Sequence, residues 1–503
     1  MREADEATRN SAAGFTRPRR FDRNLIVIGA GSAGLVSAYI AAAAKAKVTL
    51  VEANRMGGDC LNFGCVPSKA LIRSAKLAHQ MRHADHYGLA AVEPEIPFAA
   101  VIERVHRVIA TIEPNDSVER YEKLGVDVRR GYARLVDPWT VEIDLASGRV
   151  ERLTARAIII ATGARPFVPE IPGLAEIDYL TSDTLWDRLR GRSRAPQRLV
   201  VLGGGPIGCE LAQSFARLGS KVTQIEMAPR LMMREDEDAA ACVEASLRAD
   251  GVDVLTAHKA VACGREADET WIEVDHDGVR RRIDFDDIIV AVGRAPRLKG
   301  FGLEELGIPI DRVVATNEYL QTLYPNILAA GDVAGPYQFT HVASHQAWFA
   351  AVNALFGDLK RFKADYSIIP WATFTDPEVA RVGLSESEAK ARDIPHEVTR
   401  FSIGELDRAV TDGAAEGFVK VLTVPGRDRI LGATIVGEHA GDLLAEFVFA
   451  MKHRQGLGKI LGTIHIYPTL AEANKMAAGQ WRRNHISAFL LSLLERFQTW
   501  RRG

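Results

Sequence analysis

Cys60 and Cys65 lie in GGDCLNFGCVPSK, residues 57 to 69. Two thiols this close can form a redox disulfide. On an ideal helix, Cα atoms five residues apart stand about 8 Å from one another. A relaxed bridge needs less than roughly 7 Å. The stretch is therefore expected to be irregular where the cysteines sit, and Gly57, Gly58 and Gly64 permit that. Pro67 suits a first helical position, with KALIRSAKLAHQM reading as the helix. Cys65 then lies near a helix N-terminus, where the dipole and free N–H groups favour a thiolate. Two inert buried thiols are the common alternative; the flanking residues decide against it.

Upstream, NLIVIGAGSAGLVSAYIAAAAKAKVTLVEA holds an apolar run, Leu25 to Ile28, and a glycine turn, Gly29-x-Gly31-x-x-Gly34. An alanine-rich helix and a second apolar strand, Val48 to Val51, lead to Glu52. This is a dinucleotide-binding fingerprint in full context. Gly29 makes the turn, Gly31 lets backbone approach a pyrophosphate, Gly34 packs helix on strand, and Glu52 can accept from a ribose. The pattern recurs. Gly203-x-Gly205-x-x-Gly208 follows the strand Leu199–Leu202, and the strand Val222–Ile225 ends at Glu226.

The cysteine pair beside the first fingerprint resembles the class I flavoprotein (pyridine nucleotide) disulfide oxidoreductases, in the branch of lipoamide dehydrogenase and mercuric reductase. The resemblance runs from about residue 22 to about residue 480. It implies an α/β fold: two Rossmann-like dinucleotide-binding domains and a C-terminal α+β dimerisation domain. It implies FAD on the first fingerprint, with Gly58, Thr162, Gly163 and Asp332 also contacting the flavin nucleotide. Cys60 would exchange with substrate and Cys65 would face the flavin. Lys69 and Glu210 would pair near the flavin's reactive edge. The second fingerprint would hold the nicotinamide, with Gly293 in the turn Ala291–Arg294 closing that domain. A carboxylate at Glu226 would repel a 2′-phosphate, which favours NAD(H) over NADP(H). Arg230 and Arg234 lie beyond the strand end.

Histidine-bearing relatives carry a motif of the form HPTxxE in the dimerisation domain, contributed to the partner's site. Here the sequence reads HIYPTLAEANK, residues 465 to 475. Pro468, Thr469 and Glu472 match, but Tyr467 stands in the histidine position. A phenol with pKa about 10 is a poor base at neutral pH, though it can donate a hydrogen bond. Tyrosine there points toward mercuric reductase. The absence of cysteine after Cys263 points away. The resemblance thus implies a homodimer reducing a small-molecule or protein disulfide, with lipoamide-type chemistry first and metal-ion reduction second. A redox-responsive or membrane-docked partner protein is the reading from a different class.

The bulk properties agree. A chain of 503 residues with 47% apolar and 25% charged content suits a multidomain globular protein. A net charge of −2 gives no sign of nucleic-acid binding. Five cysteines with one close pair do not make a secreted disulfide framework, and a cytoplasmic setting follows. The expected divisions are a mobile tail over 1–22, an FAD domain over 23–168, a nicotinamide domain over 169–296, a return to the FAD domain over 297–364, a dimerisation domain over 365–484 and an amphipathic helix over 485–503. That helix carries Phe489, Leu490, Leu493, Leu494 and Phe497 on one face. It is expected to dock on the dimer, with a membrane surface as the alternative.

Overall fold

A computed structural model describes residues 14–503; the first thirteen residues of the predicted tail lie outside it. The last residue of that predicted tail, Asp22, is held in place, since its carboxylate accepts from the Thr154 backbone N–H at 2.9 Å.

The first apolar run forms the strand Arg23–Ile28, parallel to Val48–Glu52 on one side and to Val150–Ile160 on the other. Val126–Asp137 and Ile327–Ala329 extend this parallel sheet at its two edges. Both long strands run on into an antiparallel meander with Thr140–Leu145. The central residues Leu25, Ile26 and Val27 have no exposed surface, as a strand covered on both faces requires. One face is covered by the helices Ser32–Ala43 and Thr340–Phe356. Their meeting faces are alanines: Ala38, Ala41 and Ala42 against Ala343, Ala347 and Ala350. Small side chains there let the two helices approach closely.

A second parallel sheet orders Asp287–Val290, Arg198–Leu202, Lys221–Ile225 and Asp253–Leu255. Between Asp253–Leu255 and Asp287–Val290 the chain forms the three-stranded meander Lys259–Glu266, Glu269–His276 and Val279–Phe285. The two chain crossings between the sheets pair with each other, Ala164–Pro166 against Arg294–Pro296. Beyond Thr340–Phe356 comes a five-stranded antiparallel sheet, with helices including Glu472–Asn484 packed on it. The fold is therefore the mixed α/β arrangement expected from the fingerprints.

The helix Cys65–Arg82 packs against Pro206–Arg217, which follows the second glycine turn. Ala70, Leu71 and Ala75 meet Cys209, Ala212 and Phe215 in one core that spans both nucleotide units. Both helices thus present their N-termini to the same region.

Candidate active site

Around the cysteines the chain differs from expectation. Cys60 sits inside a short helix, Gly58–Asn62, and Cys65 is the first residue of Cys65–Arg82. The irregularity is confined to Phe63 and Gly64, whose N–H groups both donate to the Asp59 carbonyl. Pro67 is therefore the third helical residue, not the first. It is tolerated because no N–H in the first turn has an intrahelical acceptor.

Both cysteines are free thiols, and each shifts the other. The hydrogen bond from Cys60 lowers the Cys65 thiol to about 6 against the opposing effect of burial, with Thr340 and Lys69 assisting. Cys60 is pushed up, by that same hydrogen bond and by burial. The two shifts run in opposite directions and favour the proton on Cys60 and the charge on Cys65. Thr340, whose Oγ1 lies 3.5 Å from the Cys65 Sγ, begins the helix Thr340–Phe356. No sequence motif marks it, because it is 275 residues away in the chain.

Lys69 is one turn further along the same helix. Its Nζ lies 2.8 Å from the Glu210 carboxylate and 4.4 Å from the centre of the Phe374 ring. The other Glu210 oxygen accepts from the Phe374 N–H at 2.9 Å. Glu210 is only 5% exposed, so both of its oxygens need these partners.

The two glycine turns are built alike. A β-carbon on Gly29 would stand 2.3 Å from the Ala161 carbonyl oxygen, and one on Gly203 would stand 2.5 Å from that of Ala291. Gly34 and Gly208 are pressed against the carbonyls of Gly29 and Gly203 in the same way. Each acid closes its own turn. Glu52 accepts from the Ala30 and Asn54 N–H groups at 2.6 and 2.7 Å. Glu226 accepts from Gly204 and Ala228 at the same two distances. Gly58 touches Gly31, where a β-carbon would meet the Gly31 Cα at 2.5 Å. The redox loop is thereby packed directly on the first glycine turn.

A cavity of about 2200 Å³ joins these parts. Its walls include Gly29, Gly31, Glu52, Gly58, Cys60, Cys65, Lys69, Thr162, Gly163 and Asp332, and also Gly203, Gly205, Glu210, Glu226 and Gly293. That is well above the several hundred Å³ of a site for one small molecule. Around Gly163, Gly205 and Gly293 a β-carbon would meet no protein atom within 4 Å. Internal packing leaves that room free for a ligand backbone, so the residues fit bound dinucleotides. Asp332 is pushed up to about 6 by burial, with Arg294 pulling the other way. Arg294, 13% exposed, lies 3.2 Å from Asp59 in the redox loop and 3.8 Å from Asp332. It links the two, a role that its place in a turn after a strand does not announce.

Tyr467 and Glu472 do not line this cavity; both stand on the C-terminal domain. No hydrogen bond joins their side chains. Tyr467 donates to the Asp407 carboxylate at 2.9 Å, and Asp407 pushes the phenol above its ordinary range. Glu472 begins the helix Glu472–Asn484, and its carboxylate faces the Thr469 N–H at 3.4 Å. His465 does not stand in for the missing histidine. Its Nε2 lies 3.0 Å from Glu446 and its Nδ1 lies 3.0 Å from the Thr463 carbonyl.

The model of the pyridine nucleotide-disulphide oxidoreductases matches residues 23–347, and that of their dimerisation domain matches residues 369–478. The chain belongs to this family. It is an FAD-dependent enzyme whose C-terminal domain is of the kind that forms homodimers. The chain is 32% identical to a mercuric reductase of Staphylococcus aureus, over 95% of its own length and 85% of the relative's. It is 35% identical to a dihydrolipoyl dehydrogenase of Chlamydia trachomatis, over 89% and 94%. Among solved structures, LpdA of Mycobacterium tuberculosis matches with a TM-score of 0.83 at 26% identity, covering 91% of this chain and 99% of that one. The Cu(II) complex of the HOCl-induced flavoprotein disulfide reductase RclA of Escherichia coli matches with a TM-score of 0.80, also at 26% identity, covering 91% and 99%. No helix among the described residues is long and apolar enough to cross a membrane.

Proposed function

We propose that this oxidoreductase passes electrons from NADH through FAD to the Cys60–Cys65 pair and on to a disulfide acceptor, as a dihydrolipoamide dehydrogenase-like enzyme running in either direction. The observation that carries the reading is the pair of free thiols at the head of Cys65–Arg82, inside a cavity that both glycine turns share. Gly29, Gly31, Glu52, Gly58, Thr162, Gly163 and Asp332 would hold FAD. Gly203, Gly205, Glu226 and Gly293 would hold the nicotinamide dinucleotide. FAD, when bound, supplies two-electron exchange between nicotinamide and thiols.

The residues divide the thiol chemistry between them. Cys60 keeps its proton until it attacks. Its sulfur then bonds one acceptor sulfur, the acceptor S–S bond breaks, and the leaving sulfur takes the proton that Cys60 gives up. The Cys65 thiolate attacks the Cys60 sulfur, closes the disulfide and releases the second acceptor sulfur as a thiolate, which solvent protonates. Lys69, paired with Glu210, keeps positive charge beside the Cys65 thiolate. In a homodimer, the hydroxyl of Tyr467 of the partner subunit would turn from Asp407 to donate to the leaving sulfur.

A preference for NADH rests on Glu226 and on Arg230. The Arg230 guanidinium donates to the carbonyls of Leu231, Met232, Met233 and Glu235, so it is not free to meet a 2′-phosphate. A cytoplasmic setting, which keeps thiols reduced, suits a pair that must cycle. The second reading is metal-ion reduction of the mercuric type, favoured by Tyr467 and by the mercuric reductase relatives. Steady-state oxidation of NADH by the flavin-loaded protein, with lipoamide in one series and Hg²⁺ in the other, separates the two. Turnover with lipoamide supports the first reading; turnover with Hg²⁺ alone replaces it with the second.

A further inference from the structure

The last helix, Ala488–Arg502, has no buried residue. Ser487 caps it, its hydroxyl accepting from the Leu490 N–H at 3.0 Å. It lies past residue 478, where the match to the family's dimerisation domain ends. At about 100° per residue, Phe489, Leu490, Leu493, Leu494, Phe497 and Trp500 fall in one arc of about 140°. All six are exposed, Phe489 at 79% and Trp500 at 75%. Arg496 borders one edge of the arc, and Arg501 falls about 20° inside the other, at the helix end, where a long side chain can turn its charge outward. Arg502 adds a third positive charge, and Glu495 is the one acid in the helix.

We propose that this helix lies on an anionic lipid surface, parallel to it, with the aromatic and leucine face in the acyl boundary and the arginines among the headgroups. A wide apolar face of Leu, Phe and Trp bordered by arginines is the composition that such a surface selects. Its 15 residues are too short to span a bilayer, so it anchors without crossing. The catalytic cavity keeps its own walls, because the helix contributes none of them.

The test is co-sedimentation of the full-length, flavin-loaded protein with vesicles of phosphatidylcholine alone or with about a third phosphatidylglycerol, at low and high salt. Binding is expected to the anionic vesicles and to weaken with salt. It should fall about fivefold for each arginine replaced in Arg496→Gln and Arg501→Gln. It should be lost in Leu493→Ser/Phe497→Ser, with NADH oxidation and flavin content unchanged. Failure to bind anionic vesicles overturns the proposal, as does undiminished binding by the double variant. If the double variant instead dissociates the dimer, read by light scattering, a second copy covers the helix and the proposal is wrong.

Discussion

Cys60 lowers the Cys65 thiol, and this has a pH signature. The reduced enzyme should show a long-wavelength thiolate–flavin band above pH about 6 that fades as pH falls through that value. The sign follows from the lowered pKa, since the charged form persists down to the folded value and is lost below it. Cys60→Ser should keep a band but lower lipoamide turnover by at least about a thousandfold, since the exchanging thiol is gone; Cys65→Ser should lose the band. A second residue-scale expectation concerns Tyr467, which cannot store a proton as an imidazole does. Tyr467→His should raise lipoamide turnover by about a hundredfold, the usual scale of general acid–base catalysis, and Asp407→Asn should remove that gain. An unchanged gain in the double variant would mean that Glu472 orients the ring after all. The cysteine pair was legible from its spacing and setting. Asp407 was not, because it lies 60 residues before Tyr467 and only the folded C-terminal domain brings them together.

At the scale of elements, the glycine turns were readable because each needs strand, turn, helix and acid in fixed order. The close contacts at Gly29 and Gly203 explain why no other residue would serve there. The start of the redox helix was misplaced by two residues. A proline in the first turn is compatible with several positions, and sequence alone does not choose among them. The second turn carries the coenzyme prediction. Glu226→Ala should shift the ratio of kcat/KM for NADPH over NADH upward by about tenfold or more, the scale of one hydrogen bond to a charged group. Equal efficiency with NADPH in the parent would redirect attention to His258 and Lys259, which line the same cavity.

Over the whole molecule, buried ion pairs fix the second nucleotide unit to the C-terminal domain. Arg381 is 1% exposed; it meets Glu235 at 3.1 Å and Glu388 at 2.8 Å and stacks over Trp371 at 4.3 Å. Arg217 bridges Asp250 and Asp376, both at 2.8 Å. Nothing in the sequence pairs these residues; their separation along the chain hides them. Arg381→Leu leaves the buried Glu235 carboxylate without its cation and should destabilise the protein by about 3–5 kcal/mol, measured by urea unfolding of the flavin-loaded protein. The nucleotide turns, redox loop and C-terminal domain meet only in the assembled molecule, and the central claim is that electrons cross it through Cys60 and Cys65. Anaerobic titration with NADH tests that claim most directly. One equivalent per chain should produce the long-wavelength band with the flavin still largely oxidised, and two more thiols per chain should become titratable. Bleaching of the flavin by that first equivalent, with no band and no new thiols, would contradict it.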